Sequence, residues 1–277
     1  MKLPEQTMPG QAGATQPSQN SIPDKGRCRA FELDVLRGLA LLMMVLHHFI
    51  FDLRYILNLD VFAFQDTQWF VLILRPFFVN VFILVSGICC TFSRNNTKRG
   101  LRLLAVALAL TATTVVFSAL APVNFYIIFN VIHILAIGIL LYAGLTWIER
   151  RKNRSIPFID AALLLIAGAV FWMPRVLTLW PFAVSYWTIP LGLLPQGLFQ
   201  MDDYLPLFPW LGYFLLGAEI GRIVYPFRQS AFRQPPAWLL AAVKPLEFLG
   251  RHSLLVYVLH QPILLSVLFA LRALGLI

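Results

Sequence analysis

One apolar stretch of this chain, Phe31 to Leu53, FELDVLRGLALLMMVLHHFIFDL, carries five ionisable side chains after its opening Glu32: Asp34, Arg37, His47, His48 and Asp52. A charge near the centre of a membrane-spanning helix costs roughly 2.5–3.5 kcal/mol on insertion scales, so a helix that keeps several is expected to use them. Taking Asp34 as the origin of a helical wheel, Arg37 falls at about 300°, His48 at about 320° and Asp52 at about 0°, whereas His47 falls at about 220°. Four of the five therefore share a stripe, and His47 is expected to pack or bond against a neighbouring helix. Arg37 and His48 lie about 16 Å apart along the axis. The stripe reads as a site with two ends.

His48 and Asp52 are four residues apart, so the spacing puts them side by side. A carboxylate beside an imidazole fixes its tautomer and stabilises its protonated form, the arrangement of a general base with its orienter. The plainer alternative is a His and an Asp bonding neighbouring helices together. At the other end Arg37, with Asp34 three residues before it, could grip a phosphate-bearing ligand or extend to lipid headgroups. Gly38 beside it permits close approach of a helix or ligand.

Further polar residues sit in later apolar runs. Arg75, before Pro76, could face an outer cavity or the interface, while Asn80 and Ser86 suit bonds between helices. Asn130 and His133 are three apart and expected near mid-membrane as a second lining pair. Asp202 and Asp203, followed by Tyr204 and Trp210, suit recognition of a sugar or an amine, or a plain helix start. Arg251 and His252 stand at an expected inner edge, and His260 with Gln261 follows roughly 10–12 Å deeper. Before Pro262 these two need internal partners. No metal is expected.

The elements that hold these residues are membrane helices. Hydrophobic residues make up 59% of the 277 and charged residues 13%, far from the balance of a soluble domain. The net charge of +9 does not point to nucleic acid, because the basic residues gather in short segments between apolar runs. Seven spans are expected, at about 31–53, 69–92, 101–120, 123–147, 156–173, 205–225 and 253–273. Lys and Arg concentrate around 2–29, 94–102, 150–154 and 222–251, which places the N-terminus inside and the C-terminus outside. Cys28, Cys89 and Cys90 then fall at inner ends, where a disulfide framework is not expected. Residues 1–29 read as a disordered cytoplasmic tail without the apolar core of a signal peptide, ahead of one transmembrane domain over 30–277. The Pro-broken stretch 174–204 reads as an outer loop lying on the bilayer, with Trp180, Tyr186 and Trp187 at the interface. No internal repeat suggests an inverted-repeat transporter.

The run Asp34-x-x-Arg37-Gly38-x-Ala40, with His48 eleven residues after the Arg, resembles the Arg-x10-His signature of membrane-bound acyltransferases of type 3. It is closer still to bacterial members of the heparan-alpha-glucosaminide N-acetyltransferase catalytic-domain family, whose opening is similar to ELDxLRGxAxxxMxxxHxxxDL. Three later blocks resemble that family too: FILVSGI from Phe82, DDYLPLFPWLGYFLLG from Asp202, and LGRHSLLVYVLHQP from Leu249.

The resemblance implies an O- or N-acetyltransferase of the cytoplasmic (plasma) membrane, passing acetyl from cytoplasmic acetyl-CoA to an outer acceptor such as an amino sugar or other glycan. By matching position, His48 would be the catalytic histidine and Arg37 a residue at the acyl-CoA end. Asp34, Arg251 and His252 are expected near the donor, and Asp203, Tyr204, Trp210, Arg75, His133 and His260 near the acceptor, with Asp52 orienting His48. With about seven spans the chain is expected to have fewer than the lysosomal enzyme and to lack its lumenal domain, so the acceptor is not expected to carry over. Transfer could be direct or through an acetyl-histidine. The competing classes are a small transporter or channel lined by the stripe, and a structural subunit in which the stripe is helix glue. A homo-oligomer is compatible with the sequence.

Overall fold

The computed structural model describes residues 30–120, 125–152, 156–179, 184–195, 201, 203–232 and 235–277. The expected tail over 1–29, with Cys28, and also Trp180 and Asp202, lie outside the described residues.

The described chain is all-α, a membrane helix bundle with a single isolated bridge, Tyr126 to Met201, as its only β pairing. In order the helices are α1 (Phe31–Phe51), α2 (Arg75–Thr91), α3 (Asn96–Leu120), α4 (Val131–Lys152), α5 (Ile156–Leu179), α6 (Trp210–Val224), α7 (Ala237–Arg251) and α8 (Ser253–Ala273). In hydrocarbon every backbone N–H and C=O must be met inside its own segment, so apolar runs of this length fold as helices. Six helical stretches are long and apolar enough to cross a membrane: Phe31–Ile56, Phe70–Thr91, Asn96–Leu120, Val131–Arg151, Phe158–Leu179 and Ser253–Ala273. This is a multi-pass membrane protein.

The expected span absent from these six is the one at 205–225, where α6 has only 15 residues, or about 22 Å of helix. It does not need to span unaided, because it is packed into the bundle with Phe214, Leu215 and Ala218 fully buried. Its neighbour is α2. A Cβ built on Gly87 would lie 2.1 Å from Phe214 O, and one on Gly217 would lie 2.1 Å from Leu84 O. Two glycines thus let the backbones touch, the small-residue packing of membrane helices. Further along the pair, a Cβ on Gly221 would lie 2.9 Å from Ile88 O, so the two helices run in the same direction.

The same device joins α1 to α7: a Cβ built on Gly38 would lie 1.9 Å from Leu246 O, and one on Gly250 would lie 1.8 Å from Asp34 O. Helix α7 was expected only as part of a basic inner segment. It is an added helix beside the start of α1, separated from α8 by a break at His252. Helix α5 continues through Pro174 to Leu179, so the expected loop starts later than 174. The missing N–H of one proline is tolerated in a membrane helix where neighbours compensate. Beyond it a 3-10 turn, Tyr186–Leu191, holds the strongly exposed Tyr186 and Trp187.

Candidate active site

Two helices leave regular α geometry at the same end of the bundle. Helix α1 passes into a π turn over Asp52–Ile56, and α2 is entered through a π turn over Phe70–Leu74. Such turns are rare and concentrate at functional sites. Between them lies a cavity of about 410 Å³, bordered by His47 and His48 on α1, Arg75, Phe78 and Phe82 on α2, Asp203 and Tyr204 ahead of α6, Trp210 on α6 and Tyr257 on α8. The connecting segment contributes Phe64. That segment is tied down by Arg54, which pairs with Asp60 at 3.2 Å and Asp66 at 3.0 Å.

Of the residues expected at the acceptor end, Arg75, Asp203, Tyr204 and Trp210 gather in this wall with His48. His47 borders the same cavity, with its ring 5.6 Å from that of Phe70. The wheel set it apart, but the cavity curves around α1 far enough to reach both histidines.

Asp52 does not spend its oxygens on His48. It is fully buried, and both oxygens accept from Gln261 Nε2 of α8, at 2.8 and 3.0 Å. The i, i+4 backbone step itself is intact, since Asp52 N donates to His48 O; it is Gln261, reaching in from α8, that takes up the carboxylate. The ring beside His48 is instead His260, at 5.0 Å between centroids. A carbonyl only accepts, so His260 Nδ1 carries the proton it donates to Tyr257 O at 2.6 Å. In a neutral ring Nε2 is then a bare acceptor, and it has no partner among the described residues.

Behind the wall runs a polar chain. Tyr257 donates its hydroxyl to Asp203 Oδ2 and accepts from Asn130 Nδ2 at 3.2 Å. Asn130 Oδ1 lies 3.0 Å from His133 Nδ1, and His133 Nε2 lies 3.4 Å from Thr111 Oγ1. Asn130 precedes α4 and its Oδ1 accepts from Ile132 N at 3.2 Å, so it acts as a helix cap. His133 stacks on Phe129 at 5.0 Å and does not reach the cavity. Burial pushes the Asp203 carboxyl above its ordinary pKa, against the opposing pull of the Tyr257 hydroxyl, Arg75 and His260. Its backbone is left-handed, at φ 49°, a conformation that Asp tolerates better than most residues. Tyr204 donates to Ile189 O at 2.6 Å, and burial pushes its hydroxyl up to about 12.

A second cavity, of about 360 Å³, lies at the other end of the α1 stripe, lined by Ala30, Leu33, Asp34, Arg37, Cys89, Phe92, Ser93 and Arg99. Arg37 is only 8% exposed, and its Nε and Nη2 have no hydrogen-bond partner among the described residues. Unmet buried donors of a charged group are costly. Arg99 joins it, with one Nη1 bond to Cys89 O at 3.2 Å. The sequence reading counted Arg99 only among the inner basic residues, since nothing in its spacing distinguished it. Arg251 lies outside this lining, 3.7 Å from Asp34 and bonded to Glu247. His252 donates to Phe248 O at 2.9 Å and closes the last turn of α7 away from both cavities. Arg37 borders one cavity and Ala40 the other, so along α1 they approach within one turn, about 5 Å.

A multi-pass helix bundle that gathers arginines at one end of a helix and histidines at the other handles polar groups inside its fold. Residues 29–262 match the family described as heparan-alpha-glucosaminide N-acetyltransferase, catalytic. The chain belongs to that family, a family of membrane acetyltransferases, and the matched span carries both cavities. No curated protein and no solved structure matches it.

Proposed function

We propose that the protein passes an acetyl group from acetyl-CoA, on the cytoplasmic side of the cell's cytoplasmic membrane, to an amino-sugar or other glycan acceptor on the outer side. One observation carries this reading. The arginine cavity and the histidine cavity occupy the two ends of one face of α1 and approach within about one helical turn. The basic segments around 94–102 and 150–154 support placing the Arg37 end inside.

Arg37 and Arg99 hold the phosphates of coenzyme A, because guanidinium groups pair with phosphate through two parallel hydrogen bonds. The thioester then extends along α1 toward His48. His48 accepts a proton from the acceptor amine or hydroxyl as that atom attacks the acetyl carbonyl. The new C–N or C–O bond forms, the C–S bond breaks, and the departing thiolate takes a proton from the inner aqueous side. Asp52 is a positioning residue: its bonds to Gln261 hold α8 against α1 and so keep His260 beside His48.

The test uses purified protein in detergent, with acetyl-CoA binding and acetyl transfer to glucosamine measured separately. General-base help is worth about 10²–10⁴-fold, so His48→Ala should lose transfer by that factor and keep donor binding. A folded His48→Ala protein with full transfer would overturn the assignment.

A further inference from the structure

Most of the histidine cavity is hydrocarbon. Between the histidines and Arg75 its wall is made by side chains such as Met43, Met44, Val71, Leu74 and Val79. A free sugar seated there would leave hydroxyl groups without partners, at a cost of roughly 1–3 kcal/mol for each. The cavity also opens sideways. Leu46 and Val71 line it and are each 42% exposed, and the adjoining Leu72 and Ile73 are 70% and 67% exposed. That flank is apolar surface of a spanning segment, Phe70–Thr91, which a bilayer covers.

In this apolar setting stands one guanidinium. Arg75 is exposed, lines the cavity, and makes no hydrogen bond or ion pair among the described residues. Among the described residues Asp203 is the only acidic residue of the lining; the charge of Arg75 pulls on it, but it is bonded to Tyr257 and forms no ion pair with Arg75. An unpaired cation in a spanning segment is costly unless an anion meets it, and a guanidinium favours phosphate or carboxylate. We infer that this cavity is a lateral binding site for a membrane-resident amphiphile: the apolar tail enters between Leu46 and Val71, and an anionic headgroup rests on Arg75. The acceptor is therefore presented on a lipid, with its reacting amine or hydroxyl carried inward to His48. This rests on the reading of the cavity as the acceptor end.

The test is lipid retention by the purified full-length chain in detergent, read by native mass spectrometry without acetyl-CoA. The probes are phosphatidic acid, phosphatidylcholine and inorganic phosphate. Wild type should keep one phosphatidic acid in preference to phosphatidylcholine. Arg75→Gln should weaken that retention about tenfold, the loss of one charge-assisted contact. Leu46→Trp, which narrows the opening and leaves Arg75 in place, should weaken it as well. Equal retention of phosphatidylcholine, wild-type retention by both variants, or displacement by inorganic phosphate at equal concentration would each overturn the proposal. The two readings fail separately. Lipid retention without any acetyl transfer would refute the transferase mechanism alone, and acetyl transfer by a wild-type protein that retains no phosphatidic acid would refute the lipid site alone.

Discussion

Tyr257→Phe removes one oxygen and keeps the ring, and that oxygen is the joint of the polar chain behind the histidine cavity. It donates to Asp203 Oδ2 and accepts from Asn130 Nδ2 at 3.2 Å. Asn130 is fully buried, and among the described residues the Tyr257 hydroxyl is the partner of its Nδ2. An orphaned buried donor costs about 1–3 kcal/mol. Asp203 borders the cavity, where water can take over its bond, so the loss is expected to stay within that range. For a chain of this size it lowers the thermal midpoint by about 2–12 °C. The pH dependence follows from Asp203, whose carboxyl burial raises above the usual 3.8 while the Tyr257 hydroxyl opposes the rise. Stability from such a raised group is fully present below 3.8 and is lost as pH rises through its folded value. Removing the hydroxyl lifts that folded value further. The deficit of Tyr257→Phe should therefore be smallest at acid pH, where only the orphaned Asn130 donor contributes, and grow toward neutral pH. His260 bonds the backbone carbonyl of Tyr257, which Phe retains, so acceptor KM should rise while kcat changes little. The assay is thermal unfolding in detergent across pH, with Asp203→Ala completing a double-mutant cycle. A wild-type midpoint at all pH values, with no coupling between the two sites, would refute the shared joint.

Two other substitutions probe the donor end and the packing. Arg99→Gln leaves Arg37 as the sole guanidinium among the described residues of its cavity, so acetyl-CoA binding by calorimetry should weaken by about tenfold or more; unchanged binding in a folded variant removes Arg99 from the phosphate site. Gly87→Leu puts a side chain where a Cβ alone would lie 2.1 Å from Phe214 O. It should destabilise the protein by at least about 1–3 kcal/mol, read as a lower detergent-unfolding midpoint, because backbone cannot yield as a flexible side chain does.

The fold class was legible because the apolar runs and basic segments are single-residue properties, and α8, expected at 253–273, spans Ser253–Ala273. Boundaries failed where tertiary contacts decide them. The fourth span was expected from 123, yet Tyr126 bridges to Met201, Leu205 N bonds Phe129 O at 3.2 Å, and α4 starts only at Val131. Helix α7 escaped notice because its amphipathic sequence resembles an inner loop until Gly38 and Gly250 give it a partner. In the candidate site, the stripe of α1 could be read from periodicity alone. The partners of that stripe could not, since Gln261 reaches Asp52 across 209 positions of sequence. Tyr257 and Asn130 are separated by 127 positions and met only after folding.

Polar groups inside this bundle divide into two kinds, and the division argues for where ligands enter. Those that join helices are bonded to one another, Asp52 to Gln261, Asn130 to Tyr257, and Asp160 to Arg222 at 2.5 Å, with Gln261 Oε1 the one atom of these pairs left unmet among the described residues. In hydrocarbon each unmet polar atom costs free energy with no water to relieve it, so selection for stability alone would leave few. Among the described residues the unmet atoms include Arg37 Nε and Nη2 in one cavity, His47 Nδ1 in the other, and His260 Nε2 beside His48. These lie at the two ends of the α1 stripe, where a phosphate and a transferable proton have their proposed places. Asn80 Oδ1 and Glu219 Oε2 are also unmet and line neither cavity, so an unmet atom marks a ligand site only where a cavity opens beside it. By that joint criterion the arginine and histidine ends both qualify, and the Asp160–Arg222 joint does not.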